Sequence, residues 1–249
     1  MKLSEQEKAA HKAAFRAMSP GKKLEHIGLY YKWPILLTLI ALLVLGSVLQ
    51  RELTKKEPVL YLAVMNTTVG SELETRLTEG FLSASGADAG RQEVYLYRDL
   101  YLSENADELN HEYAYASQMK LVGAIQAQRM DLVLMNREAY DIVSHKGYLA
   151  ELPALAEGDP ALFTPLAPLL IENEVILSDN AIELMLGEAD EAERITRSVP
   201  NALAVSTLPV FEQAGLDGEV YLGLVANSPR VDAALQYIRY LTDSTAALP

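Results

Sequence analysis

The feature that most constrains this chain of 249 residues is a run of 18 residues without a charge, from Trp33 to Gln50. As a helix with a rise of about 1.5 Å per residue, the run would be roughly 27 Å long, close to the hydrocarbon thickness of about 30 Å in a bilayer. Its seven Leu, two Ile and two Val residues favour insertion into lipid. The run therefore predicts one transmembrane helix over residues 33–50.

The residues around this run favour an anchor that stays in place over a cleaved signal peptide. The head before it is 32 residues long, and the exit, GSVLQRELTKKEP, contains no clear small-x-small cleavage site. Tyr30, Tyr31 and Trp33 resemble the aromatic anchors found at a membrane interface. A buried core helix is the alternative, but no polar face interrupts the run. We therefore predict an uncleaved signal-anchor.

The distribution of charge predicts how the chain crosses the membrane. Residues 1–34 carry seven Lys or Arg and three Glu, a net charge of +4, whereas the remaining residues hold 14 basic and 31 acidic side chains, a net charge of −17. Basic flanks tend to stay in the cytoplasm. We therefore predict a single-pass protein of the cell membrane with a cytoplasmic basic segment (1–32), a tether (51–57) and an extracellular domain (58–249).

Apolar, strand-like segments alternate with helical segments along the first part of the predicted extracellular domain. The predicted strands lie at 58–65, 93–100 and 131–136, and the predicted helices at 71–86, 105–129 and 137–147. This alternation predicts an α/β fold with a parallel sheet and crossover connections.

The segment 153–215 differs in character, because it has four prolines within its first 16 residues. It holds a strand-like stretch at 169–179, an acidic helical stretch at 180–195 and another short strand near 201–211. The regular alternation then returns, with a strand and a helix predicted over 219–242.

Two stretches resemble extracellular solute-binding proteins with the type 2 periplasmic-binding-protein fold. Residues 124–152 (AIQAQRMDLVLMNREAYDIVSHKGYLAEL) are similar to a helix, an Asp-led strand and a second helix of that fold, and residues 219–241 (EVYLGLVANSPRVDAALQYIRYL) are similar to its late strand and helix. The resemblance implies a ligand cleft between two lobes. The first lobe would cover about 58–152, a reduced second lobe about 153–215, and a closing strand and helix 219–242.

A narrower resemblance concerns the membrane segment. The sequence KLEHIGLYYKWPI, followed by the apolar run and by KEPVLYLAV, is similar to a group of single-pass, membrane-tethered proteins of Gram-positive-type bacteria. This resemblance supports the predicted topology and implies no activity.

The sequence NTTVGS at 66–71 is the best candidate for a ligand-binding element, because it follows the first predicted strand. Open α/β sheets bind ligands beyond the carboxyl ends of their strands, and a helix N-terminus offers free N–H groups. Asn66, Thr67, Thr68 and Ser71 are therefore candidate ligand-binding residues. The alternative is that Ser71 only caps the following helix, with Glu74 in capping-box spacing.

The same position at the end of a strand adds three further candidates. Asn136 follows the third predicted strand, and Asn227 and Ser228 follow the last one. We predict that all three lie at the edge of the same cleft. Asparagine is also a common turn former, so a purely structural role is the alternative.

Signals of catalysis are missing from the sequence. It contains no GxSxG motif, no P-loop, no HExxH motif and no cysteine, and His111 and His145 stand 34 residues apart. We therefore predict no enzyme, no metal site and no cofactor. The charge of −17 disfavours nucleic acid as a partner of the extracellular domain.

Two functions remain open from the sequence. The first is a membrane-tethered, solute-binding-like protein that presents a small polar ligand to an ABC-type transporter or permease. The second is an accessory or scaffold subunit of a membrane complex that retains the fold without binding a ligand. A sheet formed by residues 153–215 that faces residues 66–71 would favour the first function, whereas a segment that wraps around the first lobe would favour the second.

Overall fold

The computed structural model describes residues 19, 21, 32–105, 110–156, 160–186, 191–216 and 218–242. The chain divides into two compact units, Met1–Lys55 and Lys56–Pro249. Apart from residues 19, 21 and 32, the predicted cytoplasmic segment 1–32 lies outside the described residues.

The described part of the first unit is mainly one helix, α1 (Lys32–Thr54), of 23 residues. Its side chains are described at 33–34, 36–47 and 50, and all of these are exposed. The Thr38 hydroxyl donates to the Pro34 carbonyl oxygen at 2.8 Å, so this polar group is satisfied within the helix. Among the described residues, no helix meets the length and apolarity expected of a membrane span.

The second unit, Lys56–Pro249, is called the α/β unit below. Its strands are β1 (Glu57–Met65), β2 (Gln92–Leu100), β3 (Leu132–Met135), β4 (Leu170–Asp179), β5 (Arg194–Ala204) and β6 (Tyr221–Leu224). Its helices are α2 (Ser71–Thr75), α3 (Phe81–Ser85), α4 (His111–Gln126), α5 (Arg137–His145), α6 (Leu152–Ala156), α7 (Pro160–Leu166), α8 (Ala181–Leu186), α9 (Pro209–Glu212) and α10 (Val231–Thr242). A π-helical turn (Arg76–Gly80) joins α2 to α3, and a 3-10 turn (Ala167–Leu169) precedes β4.

The six strands form a single mixed sheet with the order β2-β1-β3-β6-β5-β4. β1 pairs in parallel with β2 and β3, whereas the pairs β3–β6, β6–β5 and β5–β4 are antiparallel. The predicted α/β fold is therefore confirmed, and so is the parallel direction predicted for β1, β2 and β3. β6 runs antiparallel to β3, contrary to the expectation that it ends at the same edge of the sheet. A strand that is buried on both faces has the same apolar pattern in either direction, so the sequence could not show this difference.

The segment expected to form a second lobe, 153–215, supplies β4 and β5 to this same sheet. β5 pairs with β6 only at Ala202–Ala204, and its earlier residues pair with β4 alone. These earlier residues form a two-stranded extension with β4, built from 172–179 and 194–200, which is called the ribbon below. The helix α8 follows β4 at the far end of the ribbon.

Helices cover both faces of the sheet, which gives three layers. β1 places Leu60, Leu62 and Val64 in one core and Ala63 and Met65 in the other, because successive side chains of a strand point to opposite faces. The first core is completed by α2, α3, α6, α7, α9 and α10, and the second by α4 and α5.

A buried polar network attaches α5 to the strands from the middle of the chain. The Tyr140 hydroxyl donates to Asn201 Oδ1 at 2.8 Å, Asn201 Nδ2 donates to Ser144 Oγ at 2.8 Å, and Ser144 Oγ donates to the Glu174 carbonyl oxygen at 3.0 Å. Tyr140, Ser144 and Asn201 are all fully buried. Burial raises the pKa of Tyr140 above its ordinary value. The hydroxyl therefore stays protonated and keeps donating to Asn201.

The π-helical turn between α2 and α3 is held by two tyrosines of α10. The Tyr237 hydroxyl donates to the Leu77 carbonyl oxygen at 2.8 Å, and the Tyr240 hydroxyl donates to the Arg76 carbonyl oxygen at 2.9 Å. A wider turn leaves carbonyl groups without their usual α-helical partners, and these hydroxyls satisfy two of them. A Cβ atom at Gly80 would overlap the Tyr240 hydroxyl oxygen, so an alanine there would have to displace the Tyr240 side chain.

We predict that Gly80→Ala lowers the free energy of unfolding in the wild-type background, because the new methyl group overlaps the Tyr240 hydroxyl. In a Tyr240→Phe background the overlap disappears, and the intrinsic helix preference of alanine over glycine, about 1 kcal/mol, should act without opposition. Chemical denaturation followed by circular dichroism measures both effects. Equal effects of Gly80→Ala in the two backgrounds would contradict the proposed overlap.

Candidate functional site

An open pocket of about 480 Å³ lies at the edge of the sheet where β1, β2 and β3 end. This edge is called the carboxyl edge below, and the opposite one the amino edge. The pocket is lined by Asn66, Thr67, Thr68, Asp99, Leu100, Tyr101, Asn110, Tyr113, Asn136 and Glu138. Four of the seven predicted site residues are thus brought together, at the place where parallel strands commonly position a ligand.

Asn66 shapes the rim of the pocket. Its backbone has a φ of 50°, in the left-handed region that asparagine tolerates better than most residues. Its side chain binds the backbone of Leu102 at both ends: Nδ2 donates to the carbonyl oxygen at 2.6 Å, and Oδ1 accepts from the N–H at 2.7 Å. The segment after β2 is therefore fixed against the end of β1, and the Asn66 amide is largely engaged.

Thr67 and Thr68 also line the pocket, whereas Ser71 does not. Within the described residues, neither threonine hydroxyl makes a hydrogen bond, so both remain available to a ligand. The residue at the N-cap of α2 is Gly70, and Ser71 makes no capping hydrogen bond. The predicted capping box is therefore wrong: Glu74 forms an ion pair with Arg98 on β2 instead of reaching back to the cap.

Asn136 combines the two roles that the sequence left open. Its Oδ1 accepts from the Ala139 N–H at 3.0 Å and thereby caps α5. The same side chain lines the pocket. The cap holds the start of α5 at the carboxyl edge and places Glu138, in the first turn of the helix, beside the pocket.

The pocket residues that the sequence did not predict come from β2 and the segment after it, from the start of α4 and from the first turn of α5. Asp99 lies near the end of β2 with a φ of 56°, and the Tyr113 hydroxyl donates to its carbonyl oxygen. The rings of Tyr101 and Tyr113 are stacked, with centroids 6.5 Å apart. Asp99 could have been predicted from the sequence, because β2 was predicted correctly and ends at the same edge as β1 and β3. Tyr113 lies on α4 and lines the pocket because of how α4 packs on the sheet, which the sequence does not show.

Asn227 and Ser228 do not reach this pocket. Because β6 runs antiparallel to β3, its carboxyl end lies at the amino edge of the sheet. Asn227 Nδ2 donates to the Ile125 carbonyl oxygen at 2.8 Å, and Ser228 Oγ donates to Asp131 Oδ1 at 2.6 Å. Both side chains thus bind structural partners, and the expectation that they lie at the edge of the same cleft is not met.

Asp131 is the centre of a buried polar cluster at this opposite edge. Its side chain is fully buried and accepts from Ser228, from the Tyr61 N–H at 2.8 Å and from Arg230 Nε at 2.8 Å. The Arg230 guanidinium also lies 4.6 Å from the centre of the Tyr61 ring. These contacts fully occupy the carboxylate, so the cluster joins β1, β3 and the turn before α10 and has a structural role.

The chemistry of the pocket is polar and acidic. Its described lining residues offer two carboxylates, three amides, two threonine hydroxyls and two tyrosine rings, and none of these described residues is basic. No group of three or more potential metal-ligating side chains occurs among the described residues. The arrangement is suited to binding a small molecule that donates hydrogen bonds. Comparison of the chain with protein-family models, with curated proteins and with solved structures finds no match.

We predict that Arg230→Met lowers the free energy of unfolding by about 3–5 kcal/mol, because the Asp131 carboxylate is left buried without its charged partner. Adding Asp131→Asn should restore part of this loss, since the amide removes the buried charge. Chemical denaturation of the full chain in detergent measures these changes.

The matched control is Arg98→Met, which removes an arginine from an ion pair that is more than half exposed on the arginine side. Such surface pairs contribute only about 0–1 kcal/mol. A similar loss for Arg98→Met and Arg230→Met would show that Asp131 does not depend on its partner.

Proposed function

We propose that this chain is a membrane-tethered extracellular accessory subunit of a membrane complex, such as an ABC-type permease. The single observation behind this proposal is that residues 153–215 add β4 and β5 to the first sheet. Capture of a ligand between two lobes needs a second body that faces the pocket and moves toward it. The described middle of the chain contributes no such body. We therefore propose that the chain docks on a partner protein and does not close around a ligand.

The direction of the ribbon supports the same proposal. Ala202 of β5 pairs with Gly223 of β6, which pairs with Val133 of β3, so the ribbon before Ala202 extends toward the amino edge. It therefore leads away from the pocket at the carboxyl edge. A segment that leads away from the pocket is poorly placed to close over a ligand but well placed to reach a partner protein.

The far end of the ribbon exposes large apolar side chains. These are Leu177 (59% exposed), Ile182 (67%), Met185 (79%), Leu186 (62%) and Ile195 (63%). Clustered apolar side chains on a soluble surface often mark a protein–protein contact. On α8, the spacing of Ile182, Met185 and Leu186 places all three on one helical face. We propose that this face of α8 contacts the partner protein.

The proposed tether is α1. Its uncharged sequence over 33–50 and the exposure of its described leucines, from 45% to 66%, are the properties that lipid would accommodate. The basic residues before it and the acidic domain after it support a cytoplasmic N-terminus and an extracellular α/β unit.

A second candidate function is the recognition of a small polar solute, with delivery to an ABC-type transporter. The pocket that collects Asn66, Thr67, Thr68 and Asn136 favours it. Because this pocket is open on one side, binding would be weak and exchange rapid. Tethering would still keep the receptor at a high local concentration beside a transporter in the same membrane.

The native chain contains no cysteine, so a single introduced cysteine reports topology directly. We predict that a membrane-impermeant maleimide labels Ser83→Cys on intact cells, because Ser83 is exposed on the α/β unit. Ser4→Cys, in the proposed cytoplasmic segment, should react only after the membrane is permeabilised. Labelling of Ser4→Cys alone on intact cells, or recovery of the chain in the soluble fraction, would contradict the proposed orientation and tether.

We predict that the wild-type chain, extracted in mild detergent, migrates in a native gel as part of an assembly larger than itself. The double substitution Met185→Glu and Leu186→Glu should release it, because burying two carboxylates in an apolar contact is strongly unfavourable. Met119→Glu is the matched control, since Met119 is also exposed but lies on α4. A wild-type chain that migrates alone, or equal release by both variants, would contradict docking through α8.

A further inference from the structure

The charge of the residues that line the pocket at the carboxyl edge matters for binding, because the pocket is open and does not enclose a ligand. Among the described residues that line it, only Asp99 and Glu138 are charged, and both are exposed. Asp99 comes from the end of β2, and Glu138 comes from the first turn of α5. Two acidic residues from different elements thus line one cavity, and none of the described lining residues is basic.

Two of the three amide side chains of the pocket bind the protein itself. The Asn66 side chain binds both backbone groups of Leu102, its Nδ2 also donates to Glu138 Oε2 at 3.4 Å, and Asn136 Oδ1 accepts from the Ala139 N–H. Among the described lining residues, the groups left for a ligand are the two carboxylates, the hydroxyls of Thr67 and Thr68, the Asn110 amide and Asn136 Nδ2. The carboxylates are the charged members of this set, so a ligand that donates hydrogen bonds to them is favoured over an anion.

Two aromatic rings complete this surface. Tyr101 and Tyr113 are stacked beside Asp99, and the Tyr113 hydroxyl is directed to the Asp99 carbonyl oxygen. The negative face of a tyrosine ring attracts an organic cation. The same rings also provide apolar contact area for the carbon atoms of such a ligand. An anion would meet two carboxylates and the ring faces, all of which repel it.

We propose that this pocket binds a small organic ammonium ion. The inference rests on the second candidate function, the recognition of a small polar solute, and names the chemical class of that solute. Asp99 and Glu138 hold the ammonium group through charge-assisted hydrogen bonds, Thr67 and Thr68 supply further acceptors, and Tyr101 and Tyr113 contact the carbon chain. A volume of about 480 Å³ accommodates a molecule of several carbon atoms.

The test is calorimetric titration of the full chain in detergent with three probes of matched length: 1,4-diaminobutane, 1,4-butanediol and succinate. Choline serves as a fourth probe with a quaternary ammonium group. We expect heat of binding with diaminobutane or choline, and none with the diol or the dianion. Binding should weaken as salt is raised, because the pocket is open to solvent.

Two conservative substitutions tie the binding to the pocket. Asp99→Asn and Glu138→Gln should each weaken cation binding roughly tenfold, since one charge-assisted hydrogen bond is lost. Asparagine tolerates the left-handed backbone at position 99, so the fold should be kept, and the thermal midpoint of each variant checks this. Glu212→Gln, an exposed carboxylate on α9, should leave binding unchanged and thereby controls for attraction to an acidic surface.

The possible results separate this inference from the function on which it rests. Binding of butanediol without binding of either cation would overturn the ammonium proposal and would leave solute recognition standing. Absence of binding for all four probes would count against both. Cation binding that responds equally to Glu212→Gln and to the two pocket variants would be surface attraction and would also overturn the proposal.

Discussion

The buried carboxylate of Asp131 is the interaction on which the arrangement of the sheet depends. It stands just before β3 and accepts from the backbone of β1 and from the side chains of Ser228 and Arg230 after β6. Its own carbonyl oxygen accepts from the Val225 N–H at 2.8 Å. A buried charge is tolerated only when its partners are in place, so these contacts fix where the end of β6 meets the start of β3. The antiparallel direction of β6 follows from that meeting point.

The direction of β6 in turn places the pocket and the ribbon toward opposite edges of the sheet. The strands β1, β2 and β3 end together at the carboxyl edge, where their loops leave an open polar pocket. β5 pairs with the antiparallel β6, so its N-terminal part and the ribbon lie toward the amino edge. In the two proposed functions, a ligand in the pocket and a partner protein on α8 would therefore not compete for space.

The sequence predicted the first three strands, the helices between them and their parallel pairing, but it did not predict the direction of β6. Strands at 58–65, 93–100 and 131–136 and the helix that stops at Gly86 all appear within a residue or two, because apolar runs and turn residues are local signals. The direction of β6 is a tertiary property, so Asn227 and Ser228 were assigned to the wrong edge. Asn66, Thr67, Thr68 and Asn136 were found because the rule for parallel strands holds for β1 and β3. Asp99 was missed although it lies near the end of a correctly predicted strand at the same edge, and Glu138 was missed because only the fold places the first turn of α5 beside the pocket.

The open shape of the pocket constrains what it can recognise. A closed cleft gains affinity by excluding water and by burying most of the ligand, but a one-sided pocket leaves much of the ligand solvated. Two residues at the rim, Asn66 and Asp99, adopt left-handed backbones that the surrounding hydrogen bonds hold in place. The described rim carries two acidic residues and no basic one, and charge acts through solvent over a longer range than shape does. Under the proposed recognition of a solute, selection by the sign of charge is therefore the discrimination that this geometry can provide without a second lobe.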